Sequence, residues 1–225
     1  MKKLCMVAMA LIVASGVCFA EKSEQKEISK ERQEITRLSK KELSKKVSSA
    51  TKKEVKRLKK EGWVVTPGAL PLEKQLERSY MSEYEFDTNL YPKNIIATAQ
   101  SVGENYDAAK TAATSLAITN LAGQIQTEVT ALIENTVANR QLAAQEAASI
   151  VESVLASKNV ISQSIGRTIV LVECYRDLPN NNKEVMVRLA YNGDQAKFVA
   201  KNAIKEDLDK KGKDLHKQLD QVLGF

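Results

Sequence analysis

Ile95-Ile96-Ala97-Thr98-Ala99-Gln100-Ser101-Val102-Gly103, running straight into Glu104-Asn105-Tyr106-Asp107-Ala108-Ala109-Lys110-Thr111-Ala112-Ala113, decides the fold. The first half carries the β-branched content of a strand and stops at a glycine. From Tyr106 to Val137 the period changes. Ala109, Ala112, Ala113, Leu116, Ala117, Leu121, Ala122, Ile125, Val129, Leu132, Ile133 and Val137 recur at three and four, the mark of a helix with a broad apolar face. Alanine over the first half of that face permits close backbone approach, as expected of a helix lying on a sheet.

Downstream, 138–157 keeps helical composition, so one bent helix or two helices occupy the span from Tyr106 to Ser157. Arg167 to Arg176 reads as a second strand with a continuous apolar centre. Asp177-Leu178-Pro179-Asn180-Asn181-Asn182-Lys183 is turn chemistry, and Glu184 to Tyr191 alternates as a third strand. A hairpin is the consequence. Asn192-Gly193-Asp194 breaks it, Asp194 being placed to cap a helix from Gln195 onward. That helix fades into a charged tail. The expected fold is therefore α+β: a small, mostly antiparallel three-stranded sheet packed by long Ala-rich helices, preceded by a long charged N-terminal helix.

Upstream, Lys22 to Glu61 reads as that helix, a basic arm free of Gly and Pro. Its sparse apolar positions, from Ile28 to Leu58, form a narrow coiled-coil-like stripe without a strict heptad. Gly62 sits where a C-cap glycine belongs, with Trp63 expected to fold back on the last turn. Residues 63–93 form a connector in which Pro71-Leu72-Glu73 opens a short helix toward Tyr84, and Tyr80, Tyr84 and Phe86 are expected to dock it on the main domain. The organisation expected is thus an arm at 21–62, a connector at 63–93, an α+β core at 94–208 and a charged helical tail at 209–225.

The arm also holds the basicity. The chain has 34 Lys+Arg against 28 Asp+Glu, net +6; residues 21–61 hold 15 basic and 8 acidic residues, net +7, and residues 62–225 hold 17 and 20, net −3. Lys40, Lys41, Lys45, Lys46, Lys52, Lys53, Lys56, Arg57, Lys59 and Lys60 are the candidate contact residues for an anionic lipid or glycan surface. The alternative is a solvated helical arm with intrahelical ion pairs.

Residues 1–20 read as a secretory signal: Met1-Lys2-Lys3, an apolar run from Leu4 to Val17, and small residues at Cys18 and Ala20 before Glu21. The run is shorter than a spanning helix. Cleavage after Ala20 is expected; lipidation at Cys18 is the alternative, and Val17 stands where the lipidation signal carries Gly, Ala or Ser. Either cut leaves too few thiols for the chain to be a disulfide scaffold; cleavage after Ala20 leaves Cys174 alone. Export and the lack of aromatic residues between the arm's lysines argue against nucleic acid.

Catalytic and cofactor patterns are missing from the sequence. One histidine, His216, and one mature cysteine, Cys174 in a strand, supply no Cys/His pair, no Ser-His-Asp set and no zinc spacing. No phosphate loop or nucleophile elbow is present either. A non-enzymatic protein without cofactor is expected.

Ser101-Val102-Gly103-Glu104-Asn105-Tyr106-Asp107-Ala108-Ala109-Lys110-Thr111-Ala112-Ala113, continuing through Leu116-Ala117, Leu121-Ala122, Gln124-Ile125 and Val129, resembles the opening of the small bacterial surface-lipoprotein domain that also occurs at the N-terminus of flagellar assembly protein T. The resemblance covers about residues 94–205 and leaves the arm unmatched. It implies an exported, envelope-associated domain of the periplasm or outer membrane that mediates assembly contacts, with an envelope protein or a second copy as partner. It implies no catalytic residue. Peripheral binding to an anionic membrane or cell wall through the arm is the other expectation.

Overall fold

A computed structural model describes residues 46–86, 92–138, 142–211 and 213–223, with Lys30, Gln33, Glu34, Arg37 and Lys41 before them; within the last two stretches Glu206, Lys210, Lys213, Asp214, His216 and Gln221 are described by backbone alone. Contacts divide the chain into Met1–Lys46 and Val47–Phe225. In the first unit the five described residues before Lys46 are helical, and Arg37 pairs with Glu34 at 3.8 Å.

The second unit runs α1 (Ser49–Lys60), α2 (Leu72–Glu83), β1 (Asn94–Gly103), α3 (Tyr106–Ala138), α4 (Ala144–Ala156), α5 (Lys158–Ser164), β2 (Ile169–Asp177), β3 (Lys183–Asn192), α6 (Gly193–Lys211) and α7 (Lys213–Leu223). The strands form one antiparallel sheet in the order β1-β3-β2. The expected α+β architecture is present, and the hairpin is β2–β3, its turn passing through Asn181 at φ 65.

Helices cover both faces. On one, the inward row Ile95, Ala97, Ala99, Val185, Val187, Leu189 and Tyr191 meets Ala109, Ala113, Ala117, Leu121 and Ile125 of α3, with α4 to α7 closing the layer. On the other, Val172, Cys174 and Ala190 meet Val55 and Leu58 of α1, Trp63, and Leu72 and Leu76 of α2. A bulge at Leu171 shifts the register between Val170 and Val172, so that Leu171 and Val172 both join this second cluster.

Four details differ from the sequence reading, each with a local cause. The continuous arm helix from Lys22 to Glu61 is interrupted, because residues 46–48 are not helical. Ser48 is extended (ψ 159) and caps α1, its hydroxyl accepting from Thr51 N at 3.1 Å. A serine beside a second serine thus starts a helix where composition alone read continuity. The C-terminal cap does form as expected: Gly62 is left-handed at φ 88, Gly62 N donates to Lys59 O, Trp63 N donates to Leu58 O, and Trp63 is buried.

In the connector, Tyr84 (72% exposed) and Phe86 (46% exposed) face solvent. The docking residues are Leu72, Leu76, Ser79 and Gln75, with Tyr80 only half-buried against them. The charged tail is also part of the core. α7 buries Leu219 and Leu223 in the cluster that contains α3.

Finally, Asp194 is not the cap of α6. The helix starts at Gly193 because Asn192 Oδ1 accepts from Gln195 N at 3.0 Å and Gly193 N donates to Lys93 O at 2.8 Å. Replacing Asn192 by alanine should cost about 1 kcal/mol of stability and Asp194→Ala only a few tenths. Chemical denaturation of the two variants separates the roles, and equal losses would return the cap to Asp194.

Candidate functional site

The arm's charged residues divide by where they lie. Lys40 and Lys45 are outside the described residues, and Lys41 and Lys46 are exposed members of the first unit. Lys52, Lys53, Lys56, Arg57, Lys59 and Lys60 belong to α1, which is held rigidly on the sheet by Val55 and Leu58. Part of this charge is already matched. Arg57 bonds Glu54 (2.5 Å) and Glu61 (2.6 Å), holding the Glu54 carboxyl below the usual range, and Lys59 bonds Glu73 at 2.7 Å, lowering that carboxyl likewise. Lys52, Lys53, Lys56 and Lys60 are exposed and make no ion pair among the described residues. Lys52, Lys56, Lys59 and Lys60 line a shallow groove that Glu73 closes.

The start of α1 is tied to α2 by one carboxylate. Glu77 accepts from Ser48 N (3.2 Å), from Ser48 Oγ (3.1 Å) and from the Thr51 hydroxyl, and the Thr51 bond is the main cause of its lowered pKa. The lysine face therefore has a fixed orientation on the second unit.

On the opposite face of the sheet, two residues of α3 meet one of β2. The Tyr106 hydroxyl donates to Glu173 Oε1, and Lys110 Nζ donates to the same oxygen at 2.9 Å. Tyr175 packs edge-on against Tyr106 with ring centroids 5.3 Å apart. Burial, reinforced by Glu173, raises the Tyr106 pKa, and the Glu173 bond raises that of Lys110. This set holds both donors on one carboxylate, which suits it to fix α3 on β2. It gives neither donor a free basic partner for proton transfer.

A recess of about 480 Å³ opens between α3 and the start of α6, with Lys93, Glu128, Leu132, Asn135, Asp194 and Lys197 on its walls. Glu128 is exposed by area, yet the atoms packed round its carboxyl desolvate it and raise its pKa, with Lys197 opposing. Carboxylates and amines alternate here without a nucleophile. Cys174 is buried under α1 and α2, and burial pushes its thiol up to about 12, so it stays protonated and unreactive. The side chain of His216 lies outside the described residues. Among the described residues no cluster of His, Cys, Asp and Glu is arranged to hold a metal, and no helix is long and apolar enough to cross a membrane.

The two sheet edges differ in a way the sequence did not disclose. Along β2, Tyr175 exchanges hydrogen bonds with Val64 (2.8 and 2.9 Å), Glu173 N donates to Gln75 Oε1 at 2.7 Å, and Val170 O accepts from Arg78 at 2.5 Å. That edge is sealed by the connector and α2. Along β1 the ladder alternation fixes which groups face out. Lys93 O takes its bond from Gly193, so odd-numbered residues turn toward β3 and Ile96, Thr98, Gln100 and Val102 turn away. Among the described residues only Thr98 O of this set has a partner, Asn120 Nδ2 of α3 at 3.2 Å. Thr98, Gln100 and Val102 expose their side chains on the face of the sheet away from α3, and Leu116 of α3, one helical turn before Asn120, is 46% exposed on the other side. The first signal available in the sequence was the uncharged run from Ile95 to Val102. No family model, curated protein or solved structure matches this chain.

Proposed function

We propose that this chain is an exported, non-enzymatic envelope protein that works in the periplasm through protein–protein contacts, without cofactor. The observation that carries the reading is the asymmetry of the sheet: one edge is closed by three separate anchors, and on the other, among the described residues, the outward main-chain groups of Gln100 and Val102 have no anchor and Thr98 O alone is held, by Asn120. Edge strands offer a ready template for pairing, and proteins that gain nothing from an open edge blunt it with charge, proline or cover. The signal-like 1–20 segment supports export, and the resemblance to the surface-lipoprotein domain supports an assembly role in the envelope.

A second reading rests on a different observation. Lys52, Lys53, Lys56 and Lys60 present charge without ion-pair partners among the described residues on a fixed helix, which suits peripheral binding to anionic lipid or cell wall. Salt separates the two. Raising ionic strength from 0.1 M to 1 M shortens the Debye length from about 10 Å to about 3 Å, while apolar and main-chain contacts hold. Fractionation of producing cells, mass determination of the mature N-terminus and a 1 M salt wash of the envelope test both readings. A chain starting at Glu21 that stays in a salt-resistant protein complex supports the contact reading. Release of free chain by salt alone would overturn it in favour of the lysine face.

A further inference from the structure

We infer that the β1 edge pairs with β1 of a second copy, antiparallel about a two-fold axis through Gln100, joining two sheets into one of six strands. This deepens the contact reading by naming the partner. The outward groups of β1 are those of Ile96, Thr98, Gln100 and Val102, so an incoming strand must bond to even-numbered residues. A copy of β1 offers that same set. With the axis at Gln100, Gln100 faces its counterpart, Thr98 faces Val102, and Ile96 faces Glu104.

Charge selects this occupant. Ile95 to Val102 contains no Lys, Arg, Asp or Glu and no proline, so no like charges meet and no main-chain donor is missing. Beneath the strand the helix adds an apolar contact. Asn120 of α3 reaches Thr98 O, which places this face of α3 along the edge, and α3 runs antiparallel to β1 from the tight turn at Gly103. Leu116 therefore lies level with the middle of the strand, close to the axis. Its exposed side chain meets its own counterpart there, and the Leu116 pair lies under the Gln100 pair.

The sealed β2 edge makes the pairing closed rather than endless. Val64, Gln75 and Arg78 already occupy its outward groups, so a dimer cannot extend into a fibre from the other side.

Sedimentation equilibrium of the purified full chain over a dilution series tests the pairing. The wild type is expected to reach twice the chain mass. Gln100→Lys and Gln100→Glu each place two like charges across the axis and should weaken the dimer about fivefold. Gln100 is exposed, so circular dichroism should be unchanged. Mixing the two variants in equal amounts sets lysine against glutamate and should restore pairing, which damage to the fold would not do. Leu116→Lys should weaken it independently. A wild type that is monomeric throughout, or a dimer indifferent to all three substitutions, would overturn the inference. Either result leaves the fractionation outcome of the contact reading intact, because that experiment scores association with any envelope protein.

Discussion

Trp63→Ala should lower the unfolding free energy by about 3–5 kcal/mol, more than any other single truncation on the α1/α2 face of the sheet. Trp63 is 3% exposed and is the chain's one tryptophan. It belongs to the buried cluster that joins all parts of that layer: Val55 and Leu58 of α1, Leu72 and Leu76 of α2, and Leu171, Val172 and Cys174 of β2. Its outer ring face carries the Arg176 guanidinium at 4.8 Å, and Arg176 in turn bonds Glu184 at 2.7 Å. Removing the indole therefore opens a cavity and loosens the anchor of α1 together. Urea denaturation followed by circular dichroism measures the loss. Hydrogen exchange should show α1 amides losing protection well before those of α3. A loss below about 1 kcal/mol, the range of a surface change, would mean that α1 is not held by this cluster.

Gly103→Ala should lower the melting temperature by several degrees, whereas Gly166→Ala should leave it unchanged or raise it slightly. A Cβ at Gly103 would stand 2.6 Å from Ala109 N and 3.0 Å from Ala109 Cα, atoms of the α3 backbone that have no rotamer to give way. The first turn of α3 is itself pinned, with Ala108 N and Ala109 N donating to Asn105 Oδ1 and O. Relief requires strand and helix to part, an overpacking cost of about 1–3 kcal/mol. At roughly 2–4 °C per kcal/mol for a domain of this size, the shift is readily measured. Gly166 meets nothing within 4 Å and has no left-handed φ, so alanine there only restricts the unfolded chain. Equal melting temperatures for the two variants would mean that the strand–helix contact is looser than the geometry indicates.

The same junction explains what could be read from the residues. At β1 and α3 the period switches from two to three-and-four across a single glycine, and a switch that sharp has one structural answer. The β2–β3 hairpin and the Gly62 cap were equally legible, because turn and cap residues act through their own backbone. The second face of the sheet was not. Val55 and Leu58 looked like the thin stripe of a solvated arm with Trp63 folded back on its last turn, since nothing local indicates that Leu72 and Leu76 return to cover them. Likewise Leu215, Leu219 and Val222 lie within a run of Lys and Asp that read as a tail, although they line up on one helical face and pack on the core. Gln126 is buried and donates to Val154 O and Leu155 O, a bond between helices that no spacing announces. Of the anionic-contact candidates, the lysines of α1 do lie on an exposed helix. The open edge depends on strand order, and strand order is a tertiary fact.

That order also sets a timetable. The central strand of the sheet is the last of the three in the chain: β1 finds its partner only across the span from Asn94 to Asn192, and β2 waits for the same strand. A polypeptide emerging N-terminus first has no sheet until Lys183–Asn192 has followed. Before then the alanine half of α3, Ala109 to Ala117, has no completed sheet to rest on. Sheet formation should consequently wait until Lys183–Asn192 is available, with closure of that long loop expected to slow it. A product stopped before Lys183 should therefore be protease-sensitive along its entire length, helix and strand alike.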